Sequence, residues 1–93
     1  MSGFDWDDAN RAHIARHGVS VAEAEEAACG ETLDLASYSV DGELRFEDIG
    51  ATLSGRVLKL ITTDRNGLVR VVTAFDAPIA LKKLYLASMV IER

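Results

Sequence analysis

The chain has 93 residues, 48% of them hydrophobic and 27% charged, with a net charge of −5, the make-up expected of one small globular domain. No apolar run approaches the roughly 20 residues of a membrane span, and the start of the chain lacks a basic region followed by an apolar stretch, so no secretory signal is expected there. The single cysteine, Cys29, excludes an internal disulfide framework and a multi-cysteine zinc site, which fits a cytoplasmic protein without membrane contact.

Phe4-Asp5-Trp6 reads as a short strand. Asp7 is a good N-cap, because its carboxylate can accept from the orphan N–H groups of the turn that follows, and a helix is predicted from about Asp8 to Arg16. Gly18 suits a left-handed cap position, with His17 near the negative end of the helix dipole. Ser20 with Glu23 three residues later makes a capping box. It starts a second helix that Gly30 ends and that carries a thin apolar face of Val21, Ala24 and Ala28. Cys29 on this helix reads as a small buried hydrophobe.

The period then changes from helical to alternating. Thr32 to Ala36 reads as a strand, Tyr38 to Gly42 as a polar connection, and Leu44 to Leu53 as a second strand. Ser54-Gly55 reads as a two-residue hairpin loop. Val57 to Ile61 is nearly continuous apolar, as expected of a central strand covered on both faces. Asn66-Gly67 is the strongest short hairpin signal available, and Leu68 to Phe75 makes the last strand. Pro78 opens a helix to about Ile91. That helix carries two apolar stripes, one of Ala80, Leu84, Ala87 and Ile91, the other of Ile79, Leu86 and Val90. One stripe packs on the sheet, while the second exceeds what a surface helix needs and is a candidate contact for another chain. Strands joined by hairpins give an antiparallel sheet with the helices on one side, an α+β single domain over residues 1–93.

Residues 1–48 hold twelve acids and three bases, residues 49–93 three acids and seven bases, a split of −9 and +4. An acidic protein repels nucleic acid as a whole, but a basic half can form a local phosphate site or dock an acidic partner. Arg45, Arg65 and Arg70 lie on or beside strands, and Lys82, Lys83 and Tyr85 lie on the last helix. Cleavage of a phosphodiester without metal needs a cation for the charged transition state and groups that move protons. Spacing alone favours solubilising charge at these positions. His13 and His17, four apart on one helix, share a face, but zinc needs a third protein ligand and no partner motif is present. No metal or cofactor is expected.

Several segments taken together resemble the BrnT family of toxins. They are Phe4-Asp5-Trp6-Asp7, Arg16-His17-Gly18-Val19-Ser20 with Ala24 and Ala27, Gly42-Glu43-Leu44-Arg45-Phe46, Ile49-Gly50, Gly55-Arg56-Val57-Leu58, Arg65, Arg70-Val71-Val72-Thr73-Ala74 and Tyr85. The resemblance implies a RelE-like fold, a ribonuclease toxin of a type II toxin–antitoxin pair, and a ribbon-helix-helix antitoxin that masks the toxin and brings it to DNA only indirectly. Arg65 and Arg45 would then hold phosphate, with Arg70, Lys82 and Lys83 contributing cations, and His17 and Tyr85 would be the proton-transfer candidates. Ile79, Leu86 and Val90 would serve a partner, either the antitoxin or a second copy of the chain. The chain departs from the family pattern after the last strand. Phe75 stands at an Arg position, Pro78 at a Thr position, and Leu81-Lys82 at a Glu-Arg pair. Arg16 stands where the family prefers Lys, and His13 where it often has Asn. These replacements motivate a second expectation, a catalytically degenerate interaction domain on the same fold.

Overall fold

A computed structural model describes residues 3–91, the last two as backbone only. Helix α1 runs over Asp8–Ala15 and α2 over Val21–Cys29. Both start at capping boxes. Asp7 accepts from the Asn10 N–H while the Asn10 side chain accepts from the Asp7 N–H, and Ser20 and Glu23 make the same exchange. The first of these uses Asn at the third helical position, where Glu or Gln is usual. Gly18 has φ +71° between the helices, as its predicted cap role requires.

Four nine-residue strands follow, β1 Thr32–Val40, β2 Glu43–Ala51, β3 Val57–Arg65 and β4 Leu68–Asp76. They form one antiparallel sheet in sequence order, and α3 Ile79–Ile91 closes the chain. The predicted α+β class, two N-terminal helices and antiparallel sheet are all present.

Four local expectations need correction. Phe4 makes only an isolated parallel bridge to Val69 rather than a strand. The polar segment Tyr38 to Val40 continues β1, and the turn is the Asp41-Gly42 pair with φ +50° and +80°, a type of two-residue turn whose twist suits a hairpin. The Ser54-Gly55 turn sits inside a longer loop, where the Thr52 N–H donates to the Arg56 carbonyl at 2.8 Å. Cys29 is exposed.

The helices do not share one side of the sheet. Side chains alternate along a strand, so Leu58 and Leu60 point one way from β3 and Val57, Lys59, Ile61 and Thr63 the other. Leu58, Leu60, Val71 and Ala74 pack with Ile14, Val19, Ala24 and Ala27 from α1 and α2. Ile49 and Val57 face the opposite way and pack with Tyr85 of α3, backed by Leu33, Leu81 and Met89. The sheet is thus buried on both faces at one end, which explains why β3 reads as a continuous apolar run. At its other end the α3 face of the sheet is open. No described helix is long and apolar enough to cross a membrane.

Candidate functional site

The open end of that second face is where the arginines gather. Strand register places Arg45 of β2 opposite Thr63 of β3, and Thr63 opposite Arg70 of β4. These three residues form one row across the sheet. Arg65 lies two residues beyond Thr63 on the same face. A β-bulge between Ile61 and Thr62 of β3 leaves Val72 of β4 as an extra residue. Both Val72 and Thr73 consequently reach the floor of an open cavity of about 460 Å³, lined also by Asn10, His13, Glu43, Arg45, Thr63, Arg65 and Arg70. Bulges commonly sit beside functional sites because they re-aim side chains in this way.

One wall of the cavity is α1. Asn10 is buried and donates to the carbonyls of Asp5 at 3.1 Å and Val71 at 3.4 Å. Those bonds clamp the helix to the edge strand. His13, one turn later on the same helical face, is thereby held over the cavity.

The three arginines differ in how far their charge is already answered. Arg70 donates to Asp7 at 2.9 Å and lies 3.7 Å from Asp5, with its side chain 14% exposed. Asp7 is held below the usual carboxylate range first by the Asn10 N–H and then by Arg70. Arg45 and Arg65 share Glu43, at 3.2 Å and 3.5 Å, and the Arg65 side chain is 47% exposed. Three guanidinium groups and one carboxylate therefore line the cavity. Its surface is cationic although the chain as a whole is acidic.

Beside the cavity the same face carries Lys59, paired with Glu47 at 3.1 Å and standing 6.0 Å from the Phe75 ring. Glu47 is held below its ordinary pKa by a hydrogen bond from Tyr38, then by Lys59. His17 is exposed, 5.7 Å from Phe75 and 5.5 Å from His13 between ring centroids. It adjoins the cavity through His13 rather than lining it.

Three of the anticipated residues stand apart. Tyr85 is buried in the α3 core, and its hydroxyl donates to the Glu31 carbonyl at 2.9 Å. Burial raises its pKa, which further ties it to packing. Lys82 and Lys83 are exposed on α3, and Lys82 is close enough to help hold the Asp76 carboxyl low, behind the larger effect of Arg56. Ile79 and Leu86 are exposed at 71% and 48%, and the side chain of Val90 lies outside the described residues. Among the described residues no three His, Cys, Asp or Glu groups converge as metal ligands.

Arg56 forms a second polar centre on the other side of the sheet. Its guanidinium donates to Asp76 at 2.7 Å, to Glu23 at 3.1 Å and to the Gly18 carbonyl at 2.8 Å. It ties the α1–α2 turn, α2 and the end of β4 together, a fastening role and not an open site. Spacing gave no sign of these long-range pairings. His13 had a visible signal only as half of a metal pair and as a departure from the family pattern, and Glu43 only as part of the resembling segment 42–46.

Residues 6–78 match the family described as ribonuclease toxin, BrnT, of type II toxin-antitoxin system. The chain belongs to the BrnT family. Its match spans α1, α2, the whole sheet and Pro78, so every residue of the arginine-lined cavity falls inside the BrnT region. No curated protein and no solved structure matches the chain. As a BrnT chain it is a toxin of the ribonuclease type and has an antitoxin partner.

Proposed function

We propose that this BrnT chain cleaves single-stranded RNA in the cavity between α1 and the open end of the sheet. The observation that carries the reading is the convergence of Arg45, Arg65 and Arg70, from three strands, on one open cavity. Fixed guanidinium groups aimed at a phosphate stabilise the charge that grows in the transition state, and they act there without reorganising. Arg65 and Arg45 hold the scissile phosphate. Arg70, its charge largely answered by Asp5 and Asp7, shapes the wall. Proton transfer falls to the histidines of the α1 segment, since the Tyr85 hydroxyl is committed to Glu31. Lys82 and Lys83 lie on α3 and supply only longer-range attraction for the RNA backbone. The protein works in the cytoplasm, where RNA is available.

Expression without the antitoxin should arrest growth and fragment RNA, and the Arg65→Ala variant should do neither. Harmless wild-type expression with intact RNA would end the ribonuclease reading.

The partner is a ribbon-helix-helix antitoxin, through which alone the toxin reaches DNA. Exposed Ile79 and Leu86 on α3 favour that surface as the docking stripe, and they also support a second reading in which the chain is an interaction domain without catalysis. That reading expects a stable heterocomplex or homo-oligomer in light scattering and no RNA cleavage by the free chain.

A further inference from the structure

The cavity holds one imidazole. His13 lines it together with Arg45 and Glu43 from β2, Arg65 from β3 and Arg70 from β4, and His17 stands edge-on behind it. Of the lining residues, Asn10, Thr63 and Thr73 do not titrate near neutrality, and the arginines stay protonated. The Glu43 carboxylate is occupied by Arg45 and Arg65, which makes it a poor proton acceptor. His13 is the lining side chain whose type both takes and gives a proton near neutral pH. Its position is fixed by the Asn10 clamp one turn earlier, so the ring is presented to the cavity by a rigid element.

We propose that His13 takes the proton of the ribose 2′-hydroxyl when RNA is cleaved in this cavity. The inference rests on the ribonuclease reading above. The 2′ oxygen passes its proton to His13 and forms a bond to the adjacent phosphorus, whose charge Arg45 and Arg65 face. The bond from phosphorus to the 5′ oxygen breaks, and its electron pair leaves with that oxygen, which takes a proton from water at the open mouth of the cavity. His13 then returns its proton to solvent. The products are a 2′,3′-cyclic phosphate and a 5′-hydroxyl end. A substrate with a 2′-deoxyribose at the scissile position offers no proton to His13 and is not cut.

The test uses the purified full chain and a labelled single-stranded RNA of mixed sequence, with His13→Asn and His13→Ala beside the wild type. General-base catalysis of this kind typically contributes about 100-fold or more, so cleavage should fall by at least that factor. Binding to a 2′-O-methyl version of the same strand should stay within about twofold. The acid limb of the pH–rate profile should disappear in His13→Asn, and added imidazole should restore part of the activity of His13→Ala, which also shows that the variant is folded. Cleavage by His13→Asn at the wild-type rate and pH profile overturns the inference and leaves the ribonuclease reading intact. Equal losses of binding and cleavage overturn it as well, making His13 a contact residue. A wild-type chain that cuts neither this strand nor total cellular RNA overturns the ribonuclease reading itself, and the inference with it.

Discussion

The main-chain carbonyl of Ala27 in α2 occupies the space that a Cβ on Gly50 of β2 would need. The helix therefore rests directly on the backbone of the strand, with Ala24 and Ala27 fully buried at the contact. Small residues on both sides set how near α2 comes, and α2 in turn carries Glu23 to Arg56.

Gly50→Ala should force α2 away from the sheet. The obstacle is backbone and not the end of a flexible side chain, so the cost should lie toward the upper part of the about 1–3 kcal/mol typical of overpacking. In a domain this small that is a fall in melting temperature of roughly 10 °C, readable by thermal circular dichroism. An unchanged melting temperature would refute the direct-contact account.

Arg65 and Arg70 should separate when each is replaced by Ala. Arg65 is half exposed with a single partner at 3.5 Å, so its loss should weaken single-stranded RNA binding and lower the slope of log affinity against log salt by about 0.7 for the lost phosphate contact. Arg70 is held by Asp5 and Asp7. Its loss frees the acids at the start of α1 and should lower the melting temperature by a few degrees with a smaller change in the salt slope. The opposite pattern would reverse the two roles.

Glu43 competes with RNA for Arg45 and Arg65. Glu43→Gln removes the carboxylate but keeps the shape, and should tighten binding about twofold to fivefold at low salt, the scale of one partly exposed ion pair. Weaker binding would mean that Glu43 is needed to position the two guanidinium groups.

Asp48 sits opposite Asp34 in the strand register. Burial, then the hydrogen bond and charge of Asp34, push its carboxyl up from 3.8 to about 6. The folded chain thus holds this proton more tightly than the unfolded chain does, and stability falls as pH rises from about 4 through 6. Asp48→Asn should stabilise the protein at pH 7.5. Because the residue is only partly buried, solvent screening limits the gain to on the order of 1 kcal/mol. The gain should vanish at pH 4. Denaturant melts at the two pH values check both the sign and the window.

Tyr85→Phe removes the bond to the Glu31 carbonyl from a buried setting. About 1 kcal/mol should be lost, seen as a lower denaturant midpoint with an unchanged slope.

Much of the fold was readable because its signals are local. Asp7, Ser20 and the Asn66-Gly67 turn act within four residues, and each sits where expected. Tyr38 to Val40 misled because polar residues on an edge strand look like a loop until their pairing with Arg45 and Glu43 is known. The placement of α3 was hidden, since neither of its two apolar stripes packs on the sheet: the helix docks through Leu81, Tyr85 and Met89, while Ala80, Leu84 and Ala87 of one stripe and Ile79 and Leu86 of the other are exposed. For the same reason Tyr85 read as a proton-transfer candidate and not as part of the packing face of α3. The site was half legible. Arg45, Arg65 and Arg70 are plain as cations, but their meeting depends on strand register and on the bulge at Val72. Glu43 and the Asn10 clamp gain meaning only from contacts distant in sequence.

Residues 3–5 lie along the outer edge of β4, where the Val69 N–H donates to the Gly3 carbonyl and the Asp5 N–H to the Val69 carbonyl. An unpaired edge is an invitation to stack against another chain, and on β4 this short segment already fills part of it. Asp5 of this segment and Asp7 just beyond it hold Arg70. Removing residues 3–7 would thus disturb two things together, the guard on the edge and the charge of the cavity wall.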